Sequence, residues 1–185
     1  MSRPAVVPTG REVSFGEDEI IVSKTDLKGK ITYANDVFLR VAGYTEQEIM
    51  GEPHNIIRHP AMPRAVFKLL WDTLAQGQEI FAYVVNLAKS GDAYWVFAHV
   101  TPSYDHAGRC VGYHSNRRVP HADALAKVRP LYAALLAEER KHARPNVGLE
   151  QSTRMLTDLL AQNRVDYSQF VFGLSKDTCL ESAMR

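Results

Sequence analysis

Three apolar segments follow one another between residues 79 and 119, and they constrain the fold more than any other feature of the sequence. They read EIFAYVVNLAK, AYWVFAHVTPSY and CVGYHSNRRV, and the turns KSGD and DHAG separate them. Runs rich in β-branched and aromatic residues, joined by turns that contain Gly and Asp, are typical of antiparallel strands. The region therefore predicts three consecutive strands of one antiparallel sheet.

A further hairpin and several short helices precede these strands. The stretch EIIVSKTDLKGKITYAN places a D-L-K-G turn between two apolar runs. Asn35 is suited to cap a short helix that ends at Gly43, and Thr45 with Glu48 has the pattern of a capping box. Pro63 suits the first turn of a longer helix. This order predicts an α+β domain, with a five-stranded antiparallel sheet and helices on one face.

Helical periodicity replaces the strand pattern from about His121. Pro130 interrupts the first helical segment and predicts a kink or a restart there, and an amphipathic helix follows over 149–163. Asp166 begins a third, shorter helix. The chain therefore divides into a flexible N-terminal cap (1–18), the sheet domain (19–120), a helical region (121–174) and a loose tail (175–185). The seam of the first helix is expected to consist of Leu125, Val128, Tyr132 and Leu135.

Composition narrows the class of protein. The chain has 185 residues, 45% of them hydrophobic and 23% charged, with a formal net charge of +1, so nothing requires a nucleic-acid partner. Cys110 and Cys179 stand far apart, which argues against a disulfide framework. The sequence contains no apolar run of the roughly 18–20 residues that a membrane span needs. We expect a cytoplasmic protein without direct membrane insertion. Since no nucleophile–base pair, metal-ligand cluster or phosphate-binding loop is evident, we do not expect an enzyme.

The segments TDLKGKITYAN, GYTEQEIMGEPHNIIRHPAMP, NLAKSGDAYW and GYHSNRR resemble, in order and spacing, the PAS domains of the aerotaxis receptor (Aer) family. The resemblance covers about residues 20–140. The pattern N-x-x-K-x-G-x-x-Y-W, from Asn86 to Trp95, is also similar to that of flavin-binding PAS relatives, including light-oxygen-voltage photosensors. The resemblance implies a PAS fold that binds FAD non-covalently and reports oxygen or redox state to the chemotaxis machinery. We expect this sensor to be a stand-alone form.

Asn86 is the first candidate cofactor ligand. Alternation along the strand places it on one face with Ile80, Ala82 and Val84, and its amide offers the donor and acceptor that a flavin edge needs. The alternative is an Asn that closes the hairpin turn through the backbone. Arg58 and His59 are expected to meet phosphate or ribose at the pocket mouth. The other candidates, with plain core packing as the alternative for the two aromatic residues, are Asn35, Phe67, Trp71 and His114.

Three positions depart from the family patterns. Ala61 stands where aerotaxis receptors commonly have Asp, and Ile80 stands where they usually have Trp. Light-oxygen-voltage photosensors carry a reactive cysteine near the position of His54, and neither cysteine of this chain lies there, which excludes photochemical adduct formation of that kind.

Signalling is expected to occur in trans, to a chemoreceptor or a similar protein, through the helices of residues 121–174. A homodimer through these helices stays open. Two other readings also stay open: a haem-binding PAS sensor with an axial ligand among histidines 54, 59, 99 and 114, or a cofactor-free PAS adaptor that mediates dimerisation.

Overall fold

A computed structural model describes residues 6–175 of the chain. Its five strands form one antiparallel sheet in the order β2-β1-β5-β4-β3. This arrangement confirms the predicted α+β class with a five-stranded sheet and C-terminal helices. The strands are β1 (Ile21–Thr25), β2 (Ile31–Ala34), β3 (Ile80–Leu87), β4 (Ala93–Tyr104) and β5 (Cys110–Arg118).

The helices lie between β2 and β3 and after β5. A 3₁₀ turn, His54–Ile57, lies within the first group, in the histidine- and proline-rich stretch HNIIRHPAMP. The α-helices are α1 (Asp36–Ala42), α2 (Glu46–Ile49), α3 (Arg64–Ala75), α4 (Ala122–Arg140), α5 (Pro145–Asn163) and α6 (Tyr167–Leu174).

The predicted helix signals are present. The Asn35 side chain accepts a hydrogen bond from Phe38 N and begins α1, and Gly43, at φ 72°, ends it in the left-handed conformation that favours glycine. Thr45 and Glu48 form the reciprocal capping box of α2. These local bonds satisfy helix termini without help from distant residues, so they could be recognised in the sequence.

The sequence predicted a kink or a restart at Pro130, and the restart does not occur. Pro130 lies inside α4, which continues from Ala122 to Arg140. An internal proline costs about 3 kcal/mol because it removes a backbone hydrogen bond. Val128, Tyr132 and Leu135 are buried on either side of it, at 5% exposure or less. Their packing offsets the cost, and tertiary contacts thereby override a local signal.

Residues 9–13 are bonded to the turn between β3 and β4, within the flexible cap that the sequence predicted for residues 1–18. Residues 1–5 of that cap lie outside the described part of the chain. Thr9 N donates to the Gly91 carbonyl at 2.8 Å, and Arg11 Nε donates to Asp92 Oδ1 at 3.0 Å. Gly91 has φ 89°, and a Cβ at that position would lie 2.3 Å from the Val7 carbonyl oxygen. Only glycine fits both the backbone conformation and this approach.

The chain divides into two compact units. Within the described residues, the first contains 6–62 together with 70–119, and the second contains 63–69 together with 120–175. Of the tail predicted at 175–185, residues 176–185, with Cys179, lie outside the described part of the chain. Between residues 6 and 175, no helix combines the length and the apolarity that crossing a membrane requires.

Glu139 is the buried charge of the second unit. Its carboxylate accepts hydrogen bonds from Arg64 Nε at 2.9 Å, from Ala65 N at 3.2 Å and from Ser152 Oγ at 3.1 Å. One buried carboxylate of α4 thus joins the first turn of α3 to α5. Gly148 permits the approach of α5 to α4, since a Cβ there would lie 2.4 Å from the Glu139 carbonyl oxygen.

Candidate functional site

The strand register defines a buried face of the sheet, which we call the inner face. Residues that oppose each other in an antiparallel pair have side chains on the same side. Asn86 opposes Tyr94, and Ala98 opposes both Ala82 and Arg117. The predicted alternation of β3 is therefore present. The inner face comprises Ile21, Ser23, Ile80, Ala82, Val84, Asn86, Tyr94, Val96, Ala98, Ser115 and Arg117.

Asn86 and Tyr94 bring unsatisfied donors to this face. Their exposed fractions are 4% and 0%. Asn86 Nδ2 and Tyr94 Oη have no hydrogen-bond partner within residues 6–175. The Asn86 Nδ2 atom is therefore not used to close the hairpin turn, which was the alternative reading. A buried polar atom without a partner costs about 1–3 kcal/mol, so each donor is suited to a group that residues 6–175 do not supply.

Arg117 is the charged member of the inner face and is only 2% exposed. Its Nε donates to Ser115 Oγ at 3.1 Å, and its Nη2 donates to Ser23 Oγ. The guanidinium carbon lies 4.7 Å from the centre of the Phe38 ring, in a cation–π contact. Nη1 is buried and has no partner in the part of the chain that the structure describes. One donor of this cation therefore also awaits an acceptor.

His54, at the start of the 3₁₀ turn, lies next to this cluster. Its Nε2 is 3.3 Å from Ser23 Oγ, and its ring stacks on Phe38 at 6.0 Å between centroids. Burial, and to a lesser extent the positive charge of Arg117, lowers the pKa of His54 from 6.5 to about 3. Since Ser23 Oγ accepts from Arg117, its own proton can be donated to the neutral imidazole.

Arg58 and Asn86, two of the predicted site residues, are brought together. They form an isolated antiparallel backbone bridge, which holds the stretch after the 3₁₀ turn against β3. The Arg58 side chain donates to the Met62 carbonyl at 3.4 Å, and His59 Nδ1 accepts from Ala61 N at 3.0 Å. The stretch is thus a rigid loop beside Asn86. Phosphate or ribose contacts of Arg58 and His59 stay a prediction.

The aromatic candidates occupy different surroundings. Trp71 is 44% exposed, lies 3.6 Å from the position of a Cβ on Gly29, and contacts the Tyr113 ring edge-on at 5.4 Å. Tyr113 belongs to the inner-face alternation of β5. Phe67 falls in the second unit and Trp71 in the first. Cofactor contacts of both residues stay predictions.

The positions of Asn35 and His114 do not match those expected for two residues that contact the same flavin ring. The Asn35 side chain accepts from Val22 N and Phe38 N and donates to the Ile20 carbonyl, so the backbone uses its polar atoms. His114 opposes Thr101 and lies on the face of the sheet opposite Asn86, where its Nε2 is 3.0 Å from Asn116 Oδ1. The register is therefore against one ligand that contacts both Asn86 and His114.

Sequence reasoning did not single out Tyr94, Arg117 and Ser23. Alternation along β5 does put Tyr113, Ser115 and Arg117 on one side of that strand. Which of the two alternating sets faces the interior depends on pairing with β4 and β1, and this register is not readable from one strand.

Comparisons with known proteins agree with the fold described above. A family model described as a PAS fold matches residues 31–117. The aerotaxis receptor of Escherichia coli (strain K12) is 43% identical over 129 residues, which are 70% of this chain and 25% of the receptor. A nitrogen fixation regulatory protein of Klebsiella pneumoniae is 29% identical over 54% of this chain and 20% of its own length. The chain thus spans about a quarter or less of these curated relatives.

Solved structures share the fold. A light-oxygen-voltage domain studied with a flavin analogue has a TM-score of 0.51 and 20% identity, over 66% of this chain and 87% of that one. The light state of the Aureochrome1 light-oxygen-voltage domain has a TM-score of 0.50 and 24% identity, over 68% and 93%. The family model, the relatives and the sheet order together identify residues 31–117 as a domain of the PAS fold, similar to that of the aerotaxis receptor.

Proposed function

We propose that this PAS domain binds FAD non-covalently against its inner face and serves as a redox or oxygen sensor rather than as an enzyme. The observation that carries the proposal is the set of buried polar atoms without protein partners on that face, Asn86 Nδ2, Tyr94 Oη and Arg117 Nη1. A flavin supplies a planar ring that exchanges electrons and has carbonyl and nitrogen acceptors along one edge. The similarity to the aerotaxis receptor supports this choice of ligand.

The residues of the inner face fit such a ring in kind. Asn86 Nδ2 and Tyr94 Oη would donate to acceptors of the ring edge, and the apolar residues Ile80, Ala82 and Val84 would line its face. Arg58 and His59, held beside Asn86 by the backbone bridge, would lie toward the pyrophosphate and the nucleotide. This division of roles is what favours FAD over FMN in the proposal.

A matched pair of variants tests the inner-face assignment. Asn86→Ala removes an unpartnered buried donor, and Asn116→Ala removes the same side chain from the opposite face of the sheet. We expect Asn86→Ala to weaken FAD binding by about 1–3 kcal/mol, or roughly 5- to 150-fold in Kd. Asn116→Ala should bind FAD as the wild type does. Equal affinities of the two variants, measured by titration of flavin fluorescence, would contradict the assignment.

The output of the sensor is proposed to pass to a chemoreceptor-like partner through the N-terminal segment and the helices of 121–174. Asn86 and Tyr94 lie on the two strands that flank the turn between β3 and β4. Residues 9–13 are hydrogen-bonded at the same turn. A ligand that changes its contacts at Asn86 on reduction would therefore act close to these bonds. Its effect on partner affinity can be no larger than the difference between its contacts in the two redox states.

Hydrogen exchange of the oxidised and the dithionite-reduced protein tests this output. We expect reduction to change the protection of amides in residues 6–20 and 121–140. A control is the exposed turn around Gly108, at the far end of β4, whose exchange should not depend on redox state. If both flanking regions show the same protection in the two states, the domain carries a cofactor without the proposed switch.

A further inference from the structure

Arg117 is a buried cation that has no counter-charge among residues 6–175. Its hydrogen bonds go to two neutral hydroxyl groups, those of Ser23 and Ser115, and its flat face lies on Phe38. No carboxylate among residues 6–175 is paired with it or contributes to the shift of its pKa, which burial lowers to about 10. Burying a charged group costs several kcal/mol unless a partner compensates. The guanidinium is therefore expensive to keep in the folded protein.

Its neighbours do not supply the missing negative charge. Burial raises the pKa of Tyr94, so its phenol keeps its proton and can only donate or accept a hydrogen bond. Burial lowers the pKa of His54, so that its imidazole is neutral near pH 7. The cluster of Arg117, His54 and Tyr94 thus has one positive charge, that of Arg117, and two of its donors, Arg117 Nη1 and Tyr94 Oη, have no partner among residues 6–175. Such a cluster is complementary to a group with one negative charge.

We propose that Arg117 is the counter-charge for the single negative charge that the bound flavin ring acquires on reduction, and that it thereby favours the reduced over the oxidised cofactor. Two electrons from an external donor, with one proton taken up at N5, leave one negative charge at the N1 and C2-carbonyl side of the ring. This inference rests on the proposed flavin binding and adds to it the residue that sets the redox response.

The ring charge suits the site better than a phosphate does. Arg117 is 2% exposed and lies on an aromatic ring, whereas the pyrophosphate of FAD carries two negative charges, more than one guanidinium can balance away from water. The loop of Arg58 and His59, which is more open to solvent, is the site proposed above for the phosphates. A neutral oxidised ring would leave the Arg117 charge uncompensated, and a negatively charged reduced ring would compensate it. The difference in electrostatic free energy between these two states is what would favour the reduced cofactor.

Two variants test the proposal. Arg117→Met keeps a long side chain and removes the charge, whereas Arg117→Lys keeps the charge and loses the planar fork. Each flavin-loaded protein is titrated spectroelectrochemically for its midpoint potential. Affinities for FAD and riboflavin, and urea unfolding of the apoprotein, are measured in parallel. The apoprotein measurement does not depend on bound flavin, and it distinguishes a residue kept for a ligand from one kept for the fold.

The expected results differ for the two variants. Arg117→Met should lower the ratio of affinities for reduced and oxidised flavin at least tenfold, which is a shift of about −30 mV for a two-electron couple. The midpoint potential of Arg117→Lys should lie below the wild-type value by no more than half of this shift. The Arg117→Met apoprotein should unfold at the same or a higher urea concentration than the wild type, since an uncompensated buried charge has been removed. The ratio of FAD to riboflavin affinity should not change.

Several outcomes would overturn the proposal. An unchanged potential in a flavin-loaded Arg117→Met protein would reject the redox role while leaving flavin binding intact. Loss of FAD affinity with riboflavin affinity retained would assign Arg117 to the phosphate. A less stable Arg117→Met apoprotein would make the arginine structural. Failure of the wild type to take up any flavin would reject the proposed function itself, and this inference with it.

Discussion

Asn86 and Tyr94 oppose each other across β3 and β4, and each ends in a buried polar atom that no residue within 6–175 satisfies. Most buried polar groups of folded proteins find a partner, so two exceptions side by side indicate a place for a ligand. Arg117, on the same face, adds a charge that is equally uncompensated. The candidate site is thus defined by what its residues lack.

The stability of the protein should fall as the pH is lowered through the range in which His54 resists protonation. The pKa of His54 is about 6.5 in the unfolded chain and about 3 in the folded one. Between these pH values the unfolded state binds more protons than the folded state. The contribution of neutral His54 to stability is therefore fully present above about pH 6.5 and is lost toward pH 3. His54→Phe keeps an aromatic ring next to Phe38 and should flatten this dependence. The free energy of unfolding in urea is measured at pH 7 and at pH 5. An equal loss of stability between these two pH values in wild type and variant would contradict the prediction.

The bonding of the N-terminal segment can be tested with two glycines of similar conformation. Gly91 and Gly108 have φ of 89° and 74°, so alanine at either pays a similar backbone cost of about 1–2 kcal/mol. Only Gly91 also faces the Val7 carbonyl, whereas Gly108 has open space around it. We expect Gly91→Ala to be the more destabilising change and to speed hydrogen exchange of residues 6–13. Equal exchange of that segment in both variants would show that it is not bonded there.

The sequence reveals local relationships better than distant ones. The caps at Asn35 and Thr45 and the strands after Glu79 were predictable because their causes lie within a few residues. Asn86 could be chosen because alternation works along a single strand. Its relation to Arg117 and to His114 could not, because a shift of one residue in register exchanges the two faces of a strand. The helix through Pro130 and the bonds of Thr9 and Arg11 depend on packing partners far away in the chain.

Glu139 should be necessary for the stability of the second unit. Its side chain is 6% exposed and accepts from Arg64, Ala65 and Ser152. Glu139→Gln replaces one acceptor oxygen with a donor that faces other donors, and should cost about 1–3 kcal/mol. The neighbouring Glu138 bonds with exposed Lys141 and partly exposed His142, so Glu138→Gln is a matched control with little expected effect. Similar urea midpoints for the two variants would contradict this role.

Arg58 should matter for the nucleotide part of the cofactor and not for its ring. We expect Arg58→Ala to weaken FAD binding by about 1–3 kcal/mol, because a charged hydrogen-bond donor to phosphate is lost. Riboflavin, which has no phosphate, should bind with unchanged affinity. Arg118→Ala, an exposed arginine at the end of β5, serves as the control for net charge. If Arg58→Ala weakens FAD and riboflavin equally, the loop supports the site only through its backbone.

The visible absorption spectrum of the purified protein, with chromatography of the chromophore released on denaturation, tests the central claim most directly. We expect flavin bands in the blue region, either as purified or after incubation with FAD and removal of the excess, and FAD as the released compound. A Soret band would indicate a haem-binding sensor instead. A protein that shows no flavin absorption after incubation with FAD would contradict the account and would leave the cofactor-free adaptor as the better reading.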